Sequence, residues 1–147
     1  MIAIGCDHGG IELKNEICAY LKENGVDFKD FGINDKTSVD YPDIAFPVAQ
    51  SVVNGECEKA ILVCGTGIGM SMAANKVKGI RAAVCSDHFS AKYTRLHNNA
   101  NVLCLGGRVI GPGLAIELVD LFLNTEFEGG RHKTRIDKIA AIENNEF

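Results

Sequence analysis

The chain has 147 residues, 46% of them hydrophobic, which suits one domain, 1–147, around one core. A formal net charge of −4 argues against a broad surface for nucleic acid or an anionic membrane. No apolar run approaches the ~18–20 residues needed to cross a bilayer, and no basic segment leads into a long apolar stretch, so the expectation is a cytoplasmic protein without a secretory signal.

Met1–Cys6 reads as a first strand, ended by Asp7-His8-Gly9-Gly10. Ile11–Asn24 carries Leu13, Ile17, Tyr20 and Leu21 on one helical face, with Gly25 as the stop. Val26–Phe31 alternates weakly as a strand, and Gly32–Pro42 is a polar loop. Asp43–Asn54 is predicted helical, with Pro47 in its first turn. Lys59–Cys64 is the clearest strand and runs directly into a glycine turn. Ile68–Lys76 follows as a short helix and Ile80–Cys85 as a strand. Ser86 or Asp87 caps a helix reaching about Leu96. Asn101–Leu105 is a fifth strand. Leu114–Leu123 is a helix apolar nearly all round, expected to be buried or at a subunit interface, and a last helix covers Arg131–Asn144. The alternation of strands and helices, with continuously apolar strands, predicts an α/β fold: a five-stranded parallel sheet with helices on both faces. Ligands in such sheets bind beyond the carboxyl ends of the strands, where strand order switches. If the first and third strands are neighbours, Asp7-His8 and the glycine turn share one crevice.

The six cysteines contain no Cys-x-x-Cys pair. Cys18, Cys85 and Cys104 lie in apolar runs and read as reduced core thiols. Cys64-Gly65-Thr66-Gly67-Ile68-Gly69 is different. Its glycines allow a tight turn with several N–H groups pointing one way, an arrangement that holds an anion, a thiolate or an oxyanion. The spacing matches neither the dinucleotide fingerprint nor a P-loop. A plain turn with a buried Cys64 is the alternative.

The other polar clusters also have two readings each. Asp7 either caps a helix beside a solvated His8 or joins the crevice. His97 is either a partner for a helix C-terminus or an acid–base group. Arg131 and Arg135 share a face at a helix start, where cations are unfavourable unless an anion such as phosphate joins them. The four histidines, His8, His88, His97 and His132, show no metal-ligand spacing, and no cluster needs a metal.

With these motifs the chain resembles the type B ribose-5-phosphate isomerase family, which includes allose- and galactose-6-phosphate isomerases. The resemblance rests on Gly5-Cys6-Asp7-His8-Gly9-Gly10, Asp40-Tyr41-Pro42-Asp43, Cys64–Met70, Arg95–Asn101 and Arg131-His132-x-x-Arg135. It implies a three-layer Rossmann-like sheet and a homodimer, or dimer of dimers, with a shared active site. It implies metal-independent, cofactor-free interconversion of D-ribose 5-phosphate and D-ribulose 5-phosphate through an enediolate, as in the pentose phosphate pathway. Cys64 then resembles the base, in place of the glutamate of other members, and Thr66 with the amides of Gly65, Gly67, Ile68 and Gly69 the enediolate stabilisers. His97, contributed by the partner with Asn98 and Arg108, resembles the ring-opening acid, assisted by Asp7. His8, Arg131 and Arg135 resemble phosphate ligands, the latter two from the C-terminal helix, and Tyr41 lines the substrate pocket. A six-carbon sugar phosphate is the alternative substrate. A thiol-redox or nucleotide-binding module is the non-enzymatic alternative.

Overall fold

The computed structural model describes residues 1–147. Five strands form one parallel sheet in the order β2-β1-β3-β5-β4. They are β1 (Ile2–Cys6), β2 (Phe28–Asp30), β3 (Lys59–Cys64), β4 (Ala82–Val84) and β5 (Val102–Gly106). The chain leaves β1 for β2 on one side and returns for β3 on the other. The strand order therefore switches between β1 and β3, and their carboxyl-end loops flank one crevice.

The period-two alternation of a strand sends neighbours to opposite faces. Ile2, Ile4, Cys6, Ile61, Val63, Leu103 and Leu105 face a layer of α1 (Ile11–Glu23), α4 (His88–Leu96) and α5 (Pro112–Asn124). Ala3, Ala60, Leu62, Cys64, Val102 and Cys104 face α2 (Tyr41–Val53) and α3 (Ile68–Ala74). The result is the three-layer architecture expected from the apolar pattern. α6 (Arg131–Glu143) follows as the last helix and buries His132 and Ile136. No helix is long and apolar enough to cross a membrane.

Several boundaries differ from the sequence reading, each for a local reason. α2 starts at Tyr41, with Pro42 in its first turn. Pro47 therefore lies inside the helix and not in its first turn; the Asp43 carbonyl it leaves unpaired belongs to an exposed residue and can take water. β2 and β4 are only three residues each because each is an edge strand with a ladder on one side. α3 stops at Ala74, where the Asn75 side chain accepts from the Ala82 N–H at 2.8 Å and donates to the Ala82 carbonyl at 3.0 Å. Asp87, not Ser86, caps α4 by accepting from the Ser90 N–H at 2.8 Å. α5 buries Ala115, Leu118, Val119 and Phe122 while Glu117 and Asp120 face out.

One buried charge organises the start of the loop after β2. Lys14 Nζ is fully buried and donates to Asp30 Oδ2 at 2.8 Å, the Ile33 carbonyl at 2.9 Å and Asn34 Oδ1 at 2.8 Å. A buried ammonium survives only with its donors used. Lys14 thereby ties α1 to the 33–39 segment, whose Val39 N–H reaches His8 Nδ1 at 3.4 Å.

Candidate active site

The crevice is built by loops that touch through glycine. A Cβ on Gly9 would stand 3.0 Å from the Gly65 nitrogen, and one on Gly107 would stand 2.7 Å from the Gly9 carbonyl. The turns after β1, β3 and β5 are therefore in backbone contact, which the doublets Gly9-Gly10 and Gly106-Gly107 already signalled in the sequence. The Gly107 N–H donates to the Cys64 carbonyl at 2.8 Å and the Arg108 N–H to the Gly65 carbonyl at 3.0 Å.

Cys64 ends β3 and is buried. The Gly67 N–H donates to its sulfur at 3.1 Å. Gly67 has φ of +81°, the left-handed region open to glycine, and this turns its amide back onto the thiol. Such a donor also serves a thiolate. The Thr66 hydroxyl accepts from the Ile68 N–H at 3.2 Å, so it sits inside the turn. The Tyr41 ring lies on Gly69, where an added Cβ would approach it to 2.7 Å.

The other cysteines lack this setting. Burial pushes the thiols of Cys6, Cys18 and Cys85 up to about 11, and raises that of the fully buried Cys104 further. They are structural thiols, as their apolar runs suggested for Cys18, Cys85 and Cys104.

Asp7 does not cap α1. Its Oδ1 accepts from the Gly9 N–H at 2.8 Å, and the side chain is nearly buried at the crevice floor. His8 is exposed at the rim. With Gly9, Glu12, Lys36, Gly107 and Arg108 it lines a cavity of about 230 Å³. The Arg108 guanidinium lies over Gly65, 3.2 Å from where a Cβ there would stand. Arg108 thus accompanies its own chain's Cys64, whereas the sequence reading grouped it with His97 on the partner. Lys36, beside His8 and 3.5 Å from Glu12, was missed, since a lysine in a polar loop carries no distinguishing signal.

The remaining candidates gather elsewhere. His97 is the C-cap of α4, a helix that begins after the carboxyl end of β4 and runs back toward the amino ends of the strands. Asn98 lines a cavity there with Arg81, which precedes β4. The His97 and His132 rings stack with centroids 3.9 Å apart and planes 11° from parallel. Arg131 and Arg135 extend from the exposed side of α6 beside them. At about 3.3 Å per residue, the six residues of β3 separate this group from Cys64 by roughly 15 Å or more along the sheet. One chain therefore does not bring His97, Asn98, Arg131 and Arg135 to its own Cys64.

Glu128 joins the second group and was not foreseen; its only sequence signal is the i,i+4 spacing to His132. Its carboxylate lies 3.9 Å from His97 Nε2 and 3.6 Å from His132 Nε2. The three donor atoms lie within 4.8 Å of one another, a proximity that histidine spacing did not reveal. Near-parallel stacked rings direct their in-plane lone pairs side by side, however, and not toward one shared ion. The arrangement fits a stacked pair under a carboxylate better than a chelate.

Residues 2–139 match the family model described as Ribose/Galactose Isomerase. The chain is 51% identical over 142 residues to ribose-5-phosphate isomerase B of Escherichia coli, covering 97% of this chain and 95% of the relative. The solved ribose-5-phosphate isomerase B of Clostridium thermocellum superposes with a TM-score of 0.97 at 53% identity, covering 98% of this chain and 97% of that one. A Mycoplasma genitalium ribose-5-phosphate isomerase B solved with bound ribulose-5-phosphate gives a TM-score of 0.93 at 47% identity, covering 97% and 95%.

Proposed function

The chain belongs to the ribose/galactose isomerase family, and we propose that it interconverts D-ribose 5-phosphate and D-ribulose 5-phosphate with Cys64 as the proton-transferring base. The observation that carries this reading is the Gly67 N–H on the Cys64 sulfur, inside a glycine turn beside the Arg108 guanidinium. The relative with ribulose-5-phosphate bound supports the substrate class.

Isomerisation of a furanose needs four things. The ring opens when a proton reaches the ring oxygen, the C1–O4 bond breaks and the O1 hydroxyl loses its proton. His97 of one subunit supplies the first proton in the crevice of the other, and Asp7 takes the second. The Cys64 thiolate then removes the proton from C2, and negative charge develops on O1. The amides of Gly65, Gly67, Ile68 and Gly69, with Thr66, receive that charge. The O2 proton passes to O1, and the Cys64 thiol returns its proton to C1, giving the ketose. No net proton or electron is consumed. His8 and Arg108 hold the phosphate from the Cys64 side, and Arg131, Arg135 and Asn98 from the partner side, so binding energy remote from C1 and C2 orients the reacting carbons. Tyr41 walls the pocket over Gly69.

The separation of the His97 group from Cys64 within one chain supports a homodimer with the site shared between subunits. A cytoplasmic setting, where a catalytic thiol stays reduced, belongs to the same proposal. The test is an isomerase assay in excess EDTA with ribose 5-phosphate and allose 6-phosphate. Turnover of ribose 5-phosphate with the higher kcat/KM is expected. No turnover of either, or loss of all activity in EDTA, overturns the metal-free pentose-phosphate reading.

A further inference from the structure

The His97 ring is held on two sides. The Tyr93 edge meets it at 4.9 Å and 75°, and the His132 face lies against it at 3.9 Å and 11°. His132 is a buried residue on a helix otherwise anchored by Ile136. Its Nε2 is buried and makes no hydrogen bond. With Glu128 Oε2 3.6 Å from that nitrogen, beyond hydrogen-bond reach, the flat face is what the imidazole lays against His97.

The segment that delivers His132 is stapled to the end of α4. The Glu128 N–H donates to the Leu96 carbonyl at 3.0 Å, and Arg95 Nε donates to the Thr125 carbonyl at 3.1 Å. Gly129 and Gly130, with φ of +72° and +57°, then turn the chain so that α6 starts beneath His97. Glu128 Oε1 faces His97 Nε2 from the same segment. A C-cap side chain with only helix neighbours would be free to rotate. Here it has a plate below, an edge beside and a carboxylate in front.

Resting on the assignment of His97 as the ring-opening acid, we propose that His132 is a positioning residue: its ring is the plate that fixes the direction in which His97 presents its proton to the partner's crevice. Misplacing a catalytic group by about 1 Å costs on the order of 100-fold in rate. His132 touches no reacting atom in this account and acts only through His97.

The test separates ring opening from carbon chemistry. Ribulose 5-phosphate has no ring, because its O5 carries the phosphate. Exchange of its C1 hydrogen with D2O needs only the base and the oxyanion site. Net conversion between ribose 5-phosphate and ribulose 5-phosphate also needs the ring opened or closed. Two variants are compared with wild type in both assays: His132→Leu, which fills the volume without a flat face, and His132→Phe, which keeps the plate. The Leu variant should lose about 10–100-fold in net conversion while its exchange rate stays within about threefold, and the Phe variant should restore conversion to within about threefold of wild type. Equal loss of conversion and exchange in the Leu variant, unchanged conversion in it, or a Phe variant as impaired as Leu overturns the positioning role. Wild type showing neither exchange nor conversion instead removes the isomerase reading, and this inference with it.

Discussion

The Gly67 backbone N–H donates to the Cys64 sulfur across 3.1 Å, and it can do so because Gly67 adopts φ of +81°. A Cβ at this position would be strained by that φ and would stand 3.0 Å from the Leu105 carbonyl carbon. Gly67→Ala therefore has to move the turn away from the sulfur and from β5. It is expected to cost about 1–3 kcal/mol of stability through backbone strain and about 10–100-fold in kcat through the displaced amide. Urea denaturation and steady-state kinetics check the two effects separately; an alanine variant of wild-type kcat would mean that the turn's amides do not serve the reaction.

Lys14 offers a purely structural counterpart. Its ammonium satisfies Asp30, the Ile33 carbonyl and Asn34 from a fully buried position. Lys14→Met keeps the aliphatic stem and orphans those acceptors. The expected destabilisation is about 3 kcal/mol, toward the low end for breaking a buried pair because Asp30 retains contact with water. Equilibrium urea unfolding measures it, and a variant as stable as wild type would contradict the role given to Lys14.

A shared site makes two dead variants complementary. Cys64→Ala keeps His97, and His97→Asn keeps Cys64. Random mixing gives half heterodimers, each with one intact site of two, so the mixture should recover about one quarter of wild-type activity. The measurement is activity after mild dissociation and reassociation of equal amounts. No recovery, with heterodimers verified by mass spectrometry, would place both groups in one chain's site.

His132 should leave a signature in acid. Desolvation, the neighbouring His97 and Arg131, and the more distant Arg135 lower its pKa below 6.5, with Glu128 opposing them. The unfolded chain therefore binds this proton more readily than the folded one. The stability associated with neutral His132 is complete above 6.5 and is lost as pH falls through the lower folded value. His132→Phe cannot titrate, so its stability should decline less than that of wild type as pH falls from 6.5 toward that lower folded value. Superimposable stability–pH curves from chemical denaturation would rule the linkage out.

Much of the site was legible because strand and turn chemistry are local. Lys59–Cys64 is continuously apolar and stops at a glycine turn, so both the strand and the thiol at its carboxyl end could be read without tertiary knowledge. The shared crevice was legible only conditionally, since adjacency of β1 and β3 is a topological fact that no local pattern encodes. Pro47 misled because either Pro42 or Pro47 could start a helix, and the choice falls to the docking of Ala45, Val48 and Ala49 on the sheet. The resemblance grouped Arg108 with His97 on the partner, whereas its guanidinium lies over its own chain's Gly65; a residue after a strand carries no mark of which subunit it serves. Glu128 stayed hidden because its partners His97 and His132 meet only through the packing of α4 against the start of α6.

The central claim is that Cys64 moves the proton between C2 and C1. Its most direct test is kcat/KM for ribose 5-phosphate in Cys64→Ala, together with C1 hydrogen exchange of ribulose 5-phosphate in D2O. The variant should bind substrate with affinity close to wild type and lose about 10²–10⁴-fold in both conversion and exchange. A Cys64→Ala protein that exchanges and converts within about threefold of wild type would show that another group is the base.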